Sequence, residues 1–284
     1  MPFTLSHAAA VLPAVRGDGS GRGGLVPAVL VAGSFAPDLT YFAASVVPGG
    51  MEFGDVTHSV PGVFTVDVLL SWALVGLWLS ARAPLVALLP RARQGRVAAL
   101  LRCGTPRARA TRSRAARWYL SAAAGSLTHV VWDAFTHHDR WGVRLFPALG
   151  DEVAGAPVFR LLQYGTSALG ALLLTAFTAG ALRRIPAGEP VGVPALSVRD
   201  RWRAGAVIGG CVVAGAVERA SQWWASSGPT AKAWELVPTV CFGAGAGLAA
   251  GVLLYSVGVG VWRPAVDAGV ADVSAGRSRP SASR

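Results

Sequence analysis

The residues best able to do chemistry in this chain are its histidines and a few of its carboxylates. One segment reads His129-Val-Val-Trp-Asp133-Ala-Phe-Thr-His137. Residues four apart lie on one face of a helix, so His129, Asp133 and His137 point the same way. Imidazole and carboxylate together are the donors preferred by zinc, and by iron or manganese where more oxygen is present. The same face equally suits a ladder of hydrogen bonds between helices, because buried polar groups commonly pair with one another. His138 is one step off that face and reads as a group behind the ligands or in solvent. The two remaining histidines lie far away in sequence. His7 sits in a short apolar segment, where alone it reads as an ordinary interfacial histidine. His58 opens a long apolar run. Asp38 follows Pro37 within another apolar run, either offering a carboxylate or capping a turn.

The elements that must position these groups are membrane helices. Of the residues, 52% are hydrophobic and 14% charged, against about 25% charged in an ordinary soluble domain. The apolar residues fall into long runs, and a span needs about 20 of them. The reading is all-α: a polytopic membrane bundle of about six transmembrane helices plus a short N-terminal helix. Residues 2–15 form that short helix; 14 residues reach about 21 Å, less than the roughly 30 Å hydrocarbon core. The principal spans are 25–47, interrupted at Pro37-Asp38, then 60–81, 117–138, 158–182, 204–225 and 236–262. Residues 1–263 form the membrane domain. Residues 264–284, rich in Ser, Ala, Gly, Arg and Pro, read as a disordered tail. Ala8–Val15 has no basic residue ahead of it and no convincing cleavage site, so it does not read as a cleaved signal. Three scattered cysteines give neither a disulfide framework nor a metal knuckle.

The net charge is +11, which raises nucleic acid as a partner. Its placement argues otherwise. Arg91, Arg93, Arg96, Arg102, Arg107, Arg109, Arg112, Arg114 and Arg117 crowd one segment between apolar runs, with no acid between Asp67 and Asp133. Arginine excess in a short loop marks the cytoplasmic side. Loops 82–116 and 183–203 and the tail then face inward, and 48–59, 139–157 and 226–235 outward. Asp38, His58 and His137 come to a similar depth near the outer face. The partners expected are membrane lipids, not nucleic acid. The preference for Ala, Gly, Val and Arg over Ile and Lys suggests a GC-rich bacterial gene. Ionisable groups at membrane depth are costly and usually functional. Asp67 and Glu218, lone acids in apolar spans, read as structural, each paired with a buried arginine or tyrosine.

Several strings, ordered along most of the chain, carry a resemblance: Pro2-Phe-Thr-Leu-Ser-His7, Gly33-Ser-Phe-Ala-Pro-Asp38, His58-Ser59, Gly125-Ser-Leu-Thr-His129 with Asp133-Ala-Phe-Thr-His137, and Leu161-Leu-Gln-Tyr-Gly165. Together they resemble a bacterial membrane family, domain of unknown function 4184. More remotely, their order is similar to membrane-bound metal-dependent hydrolases and zinc-dependent phospholipases C. The resemblance implies that His7, Asp38, His58, His129 and Asp133 take ligand positions, with His137 a further candidate. It implies a divalent metal, zinc by preference, and hydrolysis of a phosphoester such as a lipid headgroup. Glu52, Asp55 and Asp139 would then support the ligands or move protons. The alternative is a non-enzymatic metal-binding or transport protein. His7 is the hardest to place: α-helical rises leave it about 8 Å out of level with Asp38, so its helix must shift.

Overall fold

The computed structural model describes residues 4–104, 111–138, 140–227 and 233–262. The tail 264–284, Arg107, Arg109 and Asp139 lie outside the described residues. The chain is mostly helical. A 3-10 helix, Thr4–Ala14, is followed by α1 (Pro27–Phe35), a single 3-10 turn (Ala36–Asp38) and α2 (Leu39–Ala43). Then come α3 (Gly54–Thr57), α4 (Val60–Phe64), α5 (Val66–Ala87), α6 (Arg91–Leu100) and α7 (Arg112–Thr136). The second half holds α8 (Trp141–Leu145), a two-stranded antiparallel ribbon (β1, Glu152–Val153; β2, Ala156–Pro157), α9 (Val158–Arg184), α10 (Val198–Ser227) and α11 (Ala233–Trp262).

Among the described residues, four helices are long and apolar enough to cross a membrane: α5, α9, α10 and α11. Two of the six expected spans are not of that kind, for different reasons. The run 25–47 is broken after nine residues of α1, because Pro37 has no N–H to continue the ladder. The run 117–138 is a single long helix, but α7 buries Ser121, Ser126, His129, Asp133 and Thr136 along one side, and this polar stripe lowers its hydropathy.

Several boundaries also differ. Helix α7 starts at Arg112, because Thr111 accepts from the Arg114 N–H at 3.3 Å and caps it. Helix α10 starts at Val198, because Ser197 and Asp200 form a reciprocal cap: Asp200 Oδ2 accepts from the Ser197 N–H and Ser197 Oγ from the Asp200 N–H, both at 3.1 Å. The span expected at 60–81 is kinked at Thr65 and runs on to Ala87. The arginine segment 82–116 contains α6, and the outer segment 139–157 contains α8 and the ribbon.

Helices α1, α5 and α7 share a core of Val29, Ala32, Val68, Val75, Ala122 and Ala123. The N-terminal 3-10 helix packs against α1 and α9 and buries Val11 with Leu30. Helices α10 and α11 form a hairpin in close backbone contact at Gly215, Gly243, Gly247 and Gly251. The hairpin is tied to the rest by Tyr255 Oη donating to the Pro84 carbonyl at 2.7 Å and by Arg219 donating to the Ala44 carbonyl at 2.8 Å.

Candidate metal centre

The site begins where α1 crosses α7. A side chain at Gly125 would collide with the backbone of Leu30 and Ser34, and one at Gly33 with the Ala122 carbonyl. Two glycines facing each other let the helix backbones touch. That closeness lets His129 Nδ1 donate to the Ser34 carbonyl at 2.8 Å and Ser126 Oγ to the Gly33 carbonyl at 3.1 Å. The 3-10 turn that follows α1 carries Asp38 into the same space. Thr4 Oγ1 donates to Asp38 Oδ2 at 2.5 Å, leaving Oδ1 to face the histidines. His58 ends α3, which is pinned to the turn by Thr57 Oγ1 donating to the Pro37 carbonyl at 2.8 Å. Its Nδ1 donates to the Gly54 carbonyl at 2.9 Å.

Both His129 and His58 therefore spend their Nδ1 protons on backbone carbonyls. This sets the tautomer that leaves Nε2 as a lone pair, the arrangement common in metal-ligating histidines. Both Nε2 atoms face the carboxylates. His129 Nε2 is 3.5 Å from Asp38 Oδ1 and 3.4 Å from Asp133 Oδ2. His58 Nε2 is 3.7 Å and 3.6 Å from the same two oxygens. Hydrogen bonds of this type are about 2.7–3.2 Å long, so the distances do not describe a hydrogen-bond ladder. Two donors 2.0–2.2 Å from a common zinc, at tetrahedral angles, stand about 3.3–3.6 Å apart.

One donor atom from each of Asp38, His58, His129 and Asp133 lies within 4.8 Å of every other, and all four residues are buried. His129 Nε2, Asp38 Oδ1 and Asp133 Oδ1 have no hydrogen-bond partner. Two buried carboxylates side by side, with neutral imidazoles, carry a charge that one divalent cation would balance. The donor set thus fits such an ion.

The other oxygen of Asp133 faces a second pair of imidazoles. His7 Nε2 is 3.4 Å and His137 Nδ1 3.5 Å from Asp133 Oδ1. The His7 ring is fully buried, stacked on His129 with ring centres 3.7 Å apart, and edge-on to Trp132. About half of the shift it needed comes from the 3-10 form, which rises about 2.0 Å per residue and not 1.5 Å. His137 lies just beyond the end of α7, in extended conformation, and its Nε2 is 3.2 Å from the Gln163 amide nitrogen.

A family model, described as a domain of unknown function (DUF4184), matches residues 1–257. The chain belongs to this family. No curated protein and no solved structure matches it.

In this DUF4184 chain all six residues singled out for metal, His7, Asp38, His58, His129, Asp133 and His137, meet around Asp133. His138 turns away and packs its ring 5.8 Å from that of Phe159. Asp67 differs from the expectation of a buried arginine or tyrosine partner. It is wholly buried near the start of α5, and neither of its oxygens has a hydrogen-bond partner. Glu218 is exposed and accepts from Gln222 Nε2 at 2.9 Å, one turn along its own helix. Of the acids thought to support the ligands, Asp55 borders a cavity beside the site and Glu52 is exposed.

Two adjoining cavities lead to the cluster. The smaller, about 220 Å³, is lined by Tyr41, Met51, His58, Asp133, His137, Arg140 and Phe242. The larger, about 730 Å³, includes Asp55, His138, Glu152, Arg160 and Gln163, and shares His137 and Arg140 with the smaller. Arg140 and Tyr41 escaped the reading of the sequence, while Gln163 stood in the Leu161–Gly165 string without a role. For Arg140 the available hint was its place after a His-His-Asp string.

Proposed function

We propose that this protein is a membrane-bound, metal-dependent hydrolase of phosphoesters, taking lipid headgroups or lipid-linked phosphates as substrate. The observation that carries the reading is the opening of the cluster: His58 and Asp133, two of the four grouped donors, also line a cavity. Structural zinc sites are closed, and catalytic ones keep a position open. Asp38, His58, His129 and Asp133 would hold the ion, with His7, His137 and the second oxygen of Asp133 arranged for another. Such an ion lowers the pKa of water it binds to near neutrality and polarises a phosphoryl oxygen.

The chain's own groups then have clear tasks. The Ser34 and Gly54 carbonyls keep His129 and His58 in the ligating tautomer. Thr4 aims Asp38. With a single ion bound, His137, partly open to the cavity and touching Gln163, is the group best placed to pass a proton between the site and solvent. Its Nδ1 faces Asp133, its ring borders both cavities, and the Gln163 amide orients it; an imidazole so placed exchanges protons with solvent. Lipid as substrate is supported by the loop beside the smaller cavity, where Val46, Val47, Met51 and Phe53 are exposed. We place the protein in a bacterial cell membrane with the arginine segment inside, the site near the outer face, and six crossings if α7 and the broken α1–α2 rod join the four apolar helices.

Metal analysis of the purified protein, with hydrolysis of p-nitrophenyl phosphate, its bis-ester and a phospholipid mixture, tests this. We expect at least one divalent ion per chain, zinc by preference, and hydrolysis abolished by a chelator and by His129→Ala. Bound metal with no turnover of any of these would favour the second reading, a non-enzymatic metal-binding or transport protein. That reading draws on Asp67, buried and unpartnered within an apolar helix.

A further inference from the structure

Arg140 is the group common to both cavities besides His137. In the smaller cavity it is the sole arginine or lysine, and the carboxylate there, Asp133, already faces the histidines. Among the described residues no carboxylate lies within ion-pair distance of Arg140. Its guanidinium donates to Tyr41 Oη at 3.4 Å, and the Tyr41 ring stands 5.6 Å from that of His58. The guanidinium is thus held beside the metal donors by a neutral hydroxyl, which does not itself compensate its charge. A half-buried arginine bordering a cavity favours an anion there, and its planar fork matches the oxygens of a phosphate.

We infer that Arg140 is a substrate-binding residue that holds the non-bridging oxygens of a phosphate group in the smaller cavity, against the metal centre. The inference rests on the metal-centre reading above and adds what that reading leaves open: which residue requires the substrate to be anionic. Tyr41 aims the guanidinium. The larger cavity, lined by both acids and bases, takes the polar remainder of the molecule.

Binding of two probes to the zinc-loaded, full-length protein in detergent tests this: inorganic phosphate, and mixed micelles containing phosphatidic acid. Affinities are measured for wild type, Arg140→Gln and Arg140→Lys, with metal content and melting temperature determined for each. We expect Arg140→Gln to keep its metal and bind at least one probe about tenfold or more weakly, with Arg140→Lys restoring part of the loss. Loss confined to the micelles would identify a lipid source for the phosphate, and loss for both a generic phosphate site. Each of these supports the assignment. Unchanged affinity for both probes in Arg140→Gln would overturn it, as would zinc-loaded wild type that binds neither. If Arg140→Gln fails to fold, Arg140→Lys decides: affinities equal to wild type in high salt as well as low would overturn the assignment. Binding needs no turnover, so Arg140-dependent binding without hydrolysis would sink the hydrolase and spare Arg140. Hydrolysis with Arg140-independent binding would do the reverse.

Discussion

Replacing Gly125 with alanine would test whether the α1–α7 crossing sets the metal site. The new Cβ would stand 2.9 Å from Ser34 N and 3.0 Å from Gly33 Cα, with the Leu30 carbonyl closer still. Ordinary contact begins at 3.4 Å. None of these neighbours is a side chain that can swing aside, so α1 must retreat by roughly 1 Å, the response expected of an overpacked interior. The His129 Nδ1 to Ser34 O bond, now 2.8 Å, would stretch beyond the roughly 3.2 Å limit of a good N–H···O bond. Losing a partner behind a metal ligand costs about 10–100-fold in metal affinity, and overpacking costs about 1–3 kcal/mol of stability. Competition for zinc against a chelator, with thermal unfolding in the same detergent, reads both. Gly165→Ala is the control: its Cβ would meet nothing within 4 Å, and removing a helical glycine gains up to about 1 kcal/mol. Zinc affinity of Gly125→Ala within twofold of wild type would refute the argument that this crossing positions His129.

Other outcomes follow from the same geometry. His129→Ala and Asp133→Ala should each strip most bound metal while His138→Ala does not; equal loss in all three, by metal analysis, would mean that the facing directions described for them are wrong. If two ions bind, Asp133→Asn should release both and His7→Ala only one, since Asp133 faces both histidine pairs; a His7→Ala protein with unchanged metal stoichiometry would remove His7 from the ligands. For orientation, Cys103 is buried and makes a poor probe, whereas Arg93 is exposed. A maleimide that cannot cross membranes should label Arg93→Cys in lysed cells and not in intact ones; labelling of intact cells would invert the topology.

How much of this was legible in the sequence depends on the range of the interaction. The His129–Asp133–His137 face is local, written in a four-residue spacing, and its first two members lie as that spacing requires. His137 does not extend the helix; it follows its last residue yet still reaches Asp133. The breaks at Pro37 and the caps at Thr111 and Ser197 are also local signals, though the last two are easily passed over inside an arginine-rich stretch. The convergence of His7 and His58 on Asp133 is of another kind. It depends on a 3-10 helix where an α-helix is the default, and on two glycines meeting across about 90 residues of chain. Spacing holds no trace of either; the arginine topology brought His58 to the depth of Asp38 and His137, and only the family resemblance pointed to His7. That α7 is not among the four helices apolar enough to cross a membrane has a related reason. Hydropathy averages over all sides of a helix, and α7 keeps its polar groups on one side.

The break after α1 has a consequence for alignment. The carbonyls of Gly33, Ser34 and Pro37 take side-chain donors from Ser126, His129 and Thr57. Within a hydrocarbon layer an unmet carbonyl costs several kcal/mol. Sliding α7 along α1 by one residue would turn Ser126 and His129 by about 100°, away from the Gly33 and Ser34 carbonyls that they now meet. Helices packed through glycine and alanine have smooth faces that tolerate such slippage. Here the kinked rod acts as a toothed edge, and the bundle has one register in which every tooth is engaged. That register is the one that assembles the histidines around Asp133, so an out-of-step bundle loses its backbone pairing and its metal donors together.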